Sequence, residues 1–459
     1  VSTTHLSTAA QSASVRAGSY LMRRPTATAA LLCLLSFTGF WIAQRATDVS
    51  MIDLMVYRAQ GWTVRSGEDL YSLRATHADL PATYPPFAAL LFTPLTLLDV
   101  AEMRTAATVI NLTLLTALIH LSLRLAGRPL SIPRPAATMA LASLAVWCEP
   151  VWTTLRYGQV NLLLAVLVLW DLSRSPRHRW VGVGIGIAAG IKLTPALFAV
   201  FLALCGVVQG WRRLRRTKNA DALWNPRLRQ AVVATAAFLT TAVISAALLP
   251  RDSHQFWTDT LFTTQRIGSP ESTANQSLTG VLARLLHTGQ PDSAALVLTA
   301  LAATVGLATA VAAALAGPRG LPHAPAWAAL ACAATALLIS PFSWSHHWVW
   351  CVPMVLLVAT EALRRGSPAW WCGAGVGALL FCSYALWWVP NSLPHSPRVE
   401  LRQSLDQMLL SAVYPLAATL FLTVTATVSL RALLAGREPG ARAKRTVPAR
   451  EADQAVAKE

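Results

Sequence analysis

Charge is what this chain has least of. Asp, Glu, Lys and Arg make up only 13% of its 459 residues, about half the share usual in a soluble domain. Acids are the scarcer sign, 21 against 38 basic residues, for a formal net charge of +17. Cysteine is sparse too: none of the seven forms a CxxC pair, which leaves zinc and dithiol chemistry without support. HExxH and carboxylate-rich spacings are missing as well, so neither a metal site nor a cofactor is expected. No RNA- or DNA-reading motif accompanies the basic charge, which argues against nucleic acid as a partner.

What the chain does have is apolar length. It is 54% hydrophobic, and uncharged runs of about 15–25 residues recur from near Ala27 to near Leu434. The runs are continuously apolar rather than alternating, which excludes a membrane β-barrel and leaves an all-α, polytopic membrane protein. Its partner is then the lipid bilayer. The bases collect between the runs, at Arg124–Arg134, Arg174–Arg179, Trp211–Arg229, Arg364–Arg365 and Arg437–Arg450, and the positive-inside rule places these connectors in the cytoplasm.

Three parts follow. Residues 1–26 read as a cytoplasmic N-terminal segment, with Arg16, Arg23 and Arg24 before an uncleaved signal-anchor helix. Residues 27–435 form the membrane body. Residues 436–459 read as a disordered basic cytoplasmic tail. Outer loops are expected at about 47–84, 250–293 and 391–407, with the Ser343–His347 turn on the same face. The run Phe87–Leu98 is short for a crossing, and the chain shows no repeat of the kind found in secondary transporters.

Polar residues at the ends of these runs are the functional candidates, because ionisable groups at membrane depth are expensive unless paired or facing water. Asp53 follows the first apolar run among Ile52, Leu54, Met55 and Val56. Desolvation favours its protonated form, which suits a general base for a sugar hydroxyl; the alternative is a helix cap or surface acid. Asp48 lies nearer the helix end and looks more like a cap. Gln159 and Asn161 interrupt the apolar flow with amides that can donate and accept, as sugar binding requires, or act as polar glue between helices. Lys192 stands between two short apolar runs, where it either meets an anion such as a lipid-linked phosphate or snorkels. His346 and His347 are adjacent and diverge on a helix, so one can bond a phosphate or hydroxyl while the other packs. Trp344 fits an interfacial belt or a stacking surface. Asn275 and Gln276 stand before an apolar helix that carries Arg284, either as caps or as ligand contacts.

The order Asp53-Leu-Met-Val-Tyr57, Gly67-Glu-Asp-Leu-Tyr71, Tyr84-Pro-Pro-Phe87, Gly158-Gln-Val-Asn161, Gly190-Ile-Lys-Leu-Thr-Pro195, Asn275-Gln-Ser277 and Ser340-Pro-Phe-Ser-Trp-Ser-His-His347 resembles glycosyltransferase family 87, over roughly residues 27–430. The resemblance implies a GT-C-type bundle of about 11–13 membrane helices, short or broken ones included, with an extracytoplasmic active site and both termini cytoplasmic. It implies inverting transfer of mannose from polyprenyl-phosphate-mannose to a glycolipid or lipoglycan acceptor, usually through an α-1,2 linkage. Asp53 matches the family's acid and His346 and His347 its paired histidines. Lys192, Gln159, Asn161, Tyr84, Trp344, Asn275, Gln276 and Arg284 complete the expected donor phosphate and sugar contacts. Family members often carry an acid where this chain has Ser345. The competing readings are a transporter or flippase of polyprenyl-linked glycans, or a transferase of another polyprenyl-phosphate sugar such as arabinose.

Overall fold

The computed structural model describes residues 24–127, 132–263, 266–391 and 398–435. The segment before residue 24, the tail from 436 and the middle of the 391–407 loop, for which sequence expectations were given, lie outside the described residues.

The first half runs α1 (Pro25–Ala46), α2 (Ile52–Ser66), a two-residue hairpin β1 (Arg74–Ala75) and β2 (Leu80–Pro81), α3 (Pro86–Phe92), α4 (Val100–Ala126), α5 (Arg134–Ala145), α6 (Glu149–Tyr157), α7 (Asn161–Leu172), α8 (Val183–Ile191) and α9 (Ala196–Thr217). The second half runs α10 (Pro226–Leu248), α11 (Pro250–Thr258), α12 (Leu278–Leu285), α13 (Asp292–Ala316), α14 (Ala324–Ile339), α15 (Cys351–Arg365), α16 (Pro368–Cys382), α17 (Leu405–Leu410) and α18 (Val413–Ala435). Among the described residues, eight helices are long and apolar enough to cross a membrane, and the bent pair α6–α7 raises this to nine. Two shorter apolar helices, Pro86–Leu97 and Ala324–Ile339, join them. The long helices turn rows of leucine and valine outward, among them Leu31, Leu35, Val243 and Leu301. That is the surface a bilayer solvates.

Proline and glycine set the breaks. Pro86 starts α3 after Tyr84, where its fixed φ and missing N–H suit a first helical position. Pro86–Leu97 contributes about 18 Å of rise, well short of a bilayer. Gly158 ends α6 at φ +68°, and α7 leaves at 117° to it. A Cβ there would meet the Leu54 Cβ at 2.6 Å, so glycine lets the break pack onto α2. Along α8, Gly186 and Gly190 meet α10 at Ala234 and Thr241 with no room for a side chain; small residues allow such backbone approach between membrane helices. That packing fixes the end of α8, where Lys192 follows.

α14 is the central post. It is apolar all round and nearly every residue is buried, as expected of a helix surrounded by others. Trp327 on α14 stacks on Phe421 of α18 at 5.5 Å. Asp48 does not cap α2: it sits in the turn after α1 at φ +44°, and Met51 occupies the cap position. The chain needs five residues to reverse there, which moves the helix start away from Asp48.

Candidate active site

Five chain breaks converge at one end of the bundle. Asp53 comes from the first turn of α2 and Tyr84 from the approach to α3. Gln159 comes from the α6–α7 corner and Lys192 from the extended residue after α8. His346 and His347 come from the 3₁₀ turn Ser345–Trp350. Side chains at such breaks point into space that regular helices would fill. Here they line a cavity of about 250 Å³, together with Trp344 and Arg266.

Asp53 is oriented rather than loose. Gln159 Nε2 donates to its Oδ2 at 2.7 Å. Gln159 Oε1 in turn accepts from Tyr57 at 2.7 Å and from Tyr84 at 3.2 Å. The amide is thereby held with its N–H toward the acid, leaving the other carboxylate oxygen for a ligand. Neither Asp53 nor Lys192 lies in a helix long and apolar enough to cross a membrane. Burial pushes Asp53 up to about 6, against the lowering effects of Gln159 and Lys192. Burial pushes Lys192 down to about 7, against the pull of Asp53. Each group is thus poised to change charge near neutral pH.

Lys192 Nζ lies 2.9 Å from His347 Nε2 and 3.5 Å from Asn161 Oδ1. When Lys192 is an ammonium it only donates, and His347 then accepts at Nε2 with its proton on Nδ1. Asn161 Nδ2 and Thr154 Oγ1 both donate to the backbone oxygen of His346, at 3.0 and 2.7 Å. Asn161 therefore positions the histidine turn as well as the lysine. His346 Nε2 is buried without a partner among the described residues, and its ring lies against Tyr157 at 5.3 Å. The charged side chains lining the cavity are Asp53, Lys192 and Arg266, a balance that favours an anion. A smaller apolar cavity shares Lys192, Thr194, Ser340 and His347 and continues between Phe198, Leu337 and Trp350.

The structure separates three expected ligand contacts from this cavity. Asn275 donates to the carbonyls of Pro270 and Pro341 and accepts from the Ser343 amide. Gln276 binds the carbonyls of Thr273 and Ser411 and the amide of Tyr414. Arg284, buried at 1% exposure, donates to the carbonyls of Glu271, Ser272, Asn275 and Ser411. Apart from Arg284 Nε, which has no partner, their side-chain groups are spent on backbone that turns away from helix geometry. These three brace the turn carrying Trp344, which forms a single antiparallel bridge with Asn275.

Sequence reasoning missed Glu149. Its carboxylate is fully buried and accepts from Thr153, Ser345 and Trp387 on one oxygen and from Tyr414 on the other. An acid amid apolar runs was the available signal. Tyr57, which shares Gln159 with Tyr84, went unread because its phenol looks like core packing. Among the described residues no group of three or more His, Cys, Asp or Glu could hold a metal ion.

The sequence model of glycosyltransferase family 87 matches residues 82–341. A polyprenol-phosphate-mannose-dependent alpha-(1-2)-phosphatidylinositol mannoside mannosyltransferase of Mycobacterium tuberculosis is 34% identical over 305 residues, 63% of this chain and 65% of that protein. That alignment stops just short of two thirds of the relative. Its namesake from Mycolicibacterium smegmatis is 32% identical over 75% of this chain and 78% of its own length. A phosphatidylinositol pentamannoside mannosyltransferase of M. tuberculosis is 32% identical over 75% of each chain. Among solved structures, ArnT from Cupriavidus metallidurans bound to undecaprenyl phosphate aligns over 88% of this chain and 77% of its own, at 14% identity and a TM-score of 0.41.

Proposed function

The chain belongs to glycosyltransferase family 87, and from that premise we propose that it moves mannose from polyprenyl-phosphate-mannose to a hydroxyl of a phosphoglycolipid. The acceptor is of the phosphatidylinositol mannoside class and the new bond is an α-1,2 linkage. The observation that carries this reading is the placement of an oriented acid, Asp53, across one cavity from the Lys192–His347 pair.

The chemistry is a single displacement. Asp53 accepts the proton of the acceptor hydroxyl while that oxygen bonds the anomeric carbon. The bond from that carbon to the phosphate oxygen breaks, and its electron pair leaves with polyprenyl phosphate. Lys192, Arg266 and His347, once its ring donates, answer the charge that grows on the leaving oxygen. A phosphate leaves readily as an anion, so no general acid is required. Trp344 and Tyr84 offer faces to the sugar, and the apolar cavity beyond Lys192 suits the first isoprene units.

We place this cavity on the extracytoplasmic face. α9 and α15 both begin beside it and end in basic clusters, Arg215–Arg216 and Arg364–Arg365, which supports the cytoplasm at their far ends. In intact cells a membrane-impermeant thiol reagent should label Ser66→Cys but not Ser367→Cys; labelling of the latter reverses the orientation. Purified protein in nanodiscs, given labelled polyprenyl-phosphate-mannose and phosphatidylinositol mannosides, should yield an α-1,2-linked product. No transfer, or transfer only from a nucleotide sugar, would refute the assignment.

A further inference from the structure

A second polar pocket lies on the same side of Asp53 as the end of α1. It has a volume of about 390 Å³ and lies between the last turn of α1 and the first two turns of α4. Arg45, Arg104 and Asp48 are its charged side chains, leaving a net positive charge. Gln44 also lines it, 7% exposed, with neither amide atom bonded to a partner. Arg104 Nε is likewise buried and unpartnered. Arg45 donates to Thr105 at 3.4 Å and lies over Trp41 at 5.3 Å. Buried donors without acceptors are rare in a settled fold and point to a missing acceptor.

Trp41 also belongs to an apolar furrow of about 1040 Å³ between the same two helices, walled further down by α5 and α7. Its walls include Phe37, Val109, Thr113 and Thr116. From Arg104 to Leu121, the far end of the furrow on α4, the helix rises about 25 Å, more than the ~15 Å of hydrocarbon in one leaflet. A cationic cup at the head of an apolar furrow long enough for an acyl chain matches an amphiphile with an anionic head. The turn after the pocket holds Asp48 and Met51 in left-handed geometry, at φ +44° and +50°, and Asp53 follows two residues later. Such strain in non-glycine residues is maintained only where the surroundings enforce it.

We propose that the pocket binds the phosphodiester of the glycolipid acceptor and the furrow one of its acyl chains, so that the attached sugar reaches Asp53. The identity of the occupant rests on the mannosyltransferase reading above. Arg45 and Arg104 supply charge-assisted hydrogen bonds to the two free phosphate oxygens, and the Gln44 amide donates a third. Asp48 on the rim disfavours a second negative charge, which selects a diester over a monoester. The donor's phosphate has its own cations at Lys192 and Arg266, so the two lipids enter from different sides of the catalytic acid.

The test compares two acceptors in purified protein: a phosphatidylinositol mannoside, and octyl α-mannoside, which lacks the phosphate. The double variant Arg45→Gln/Arg104→Gln should raise KM for the phosphoglycolipid about 10- to 100-fold. KM for octyl mannoside and for the donor should stay within about twofold. Thr113→Trp, which fills the furrow from an exposed position, should reproduce the split without touching a charge. Unchanged KM for the phosphoglycolipid, or an equal rise for both acceptors, overturns the proposal. Binding separates this from the function itself: dioleoyl phosphatidylinositol should raise the melting temperature of the wild type but not of the double variant, and diacylglycerol should raise neither. A wild type that transfers nothing yet shows this stabilisation refutes the transferase reading and keeps the pocket; equal stabilisation of both proteins refutes the pocket.

Discussion

Replacing Asp53 by Asn isolates the proton acceptor from everything else the carboxylate does. The amide oxygen can still accept from Gln159 Nε2, the bond that now measures 2.7 Å, so the α2–α6 contact is retained. What disappears is the basic oxygen. General-base catalysis is worth about 10²–10⁴-fold, which is about 3–5 kcal/mol at the barrier. Donor binding should hold at pH 6, where Lys192 keeps its charge, because the acid faces the acceptor hydroxyl. The pH dependence adds a second readout. In the wild type, kcat/KM should fall below about pH 6 as Asp53 takes up a proton, and fall again above about pH 7 as free Lys192 loses its own. In Asp53→Asn the acid limb should vanish. The alkaline limb should move to lower pH, because Asp53 is what raises Lys192 against its burial. The assay is initial-rate transfer from labelled donor between pH 5 and 9, on monodisperse protein, with exposed Asp79→Asn as control. Activity within about tenfold of wild type, or an acid limb that stays in place, would refute the assignment of the base.

Lys192→Met should raise the donor KM and lower kcat/KM about 10- to 100-fold, as loss of a charge-assisted phosphate contact does, while monodispersity is unchanged; an unaltered donor KM would leave the lysine with no role toward phosphate. Gln159→Leu frees Asp53 from a bond that lowers its proton affinity, so the acid limb should move upward in pH and kcat should drop; a limb that moves down contradicts the network. Gly158→Ala forces a methyl group onto the Leu54 Cβ at a positive φ, which should cost about 1–3 kcal/mol of stability, read as a lower melting temperature together with lost activity; adding Leu54→Ala should recover none of it, because alanine keeps the Cβ that clashes.

The bundle was legible because continuous apolar length has one solution in lipid, and the basic connectors mark its segments. The meeting of Asp53, Lys192 and the histidine pair was legible only as a set of helix ends, since which ends meet depends on glycine packing. Gly158 and Gly190 read as ordinary loop and helix residues until α2 and α10 are placed against them. Asn275, Gln276 and Arg284 looked like ligand contacts because the residue types that recognise sugars also satisfy irregular backbone, and sequence does not distinguish the two. Glu149 escaped for the opposite reason. Its four donors arrive from α6, the histidine turn, the 3₁₀ turn Ala385–Trp387 and α18, and no local pattern records them.

That last carboxylate makes the order of synthesis matter. Ser345, next to the histidine pair, is tied through Glu149 to Tyr414, and the Ser411 carbonyl is latched by both Gln276 and Arg284. The chain emerges N-terminus first, at about 5–20 residues per second. Asp53, Gln159 and Lys192 are therefore inserted many seconds before the helix that locks their histidine partners. A nascent chain halted before α18 holds the acid, the lysine and the bonds of Thr154 and Asn161 to the histidine turn, but not the tie from Tyr414 through Glu149 to Ser345. Helix α18 thus adds the tie that reaches the histidine turn through Glu149, and a fragment that stops short of it lacks that tie.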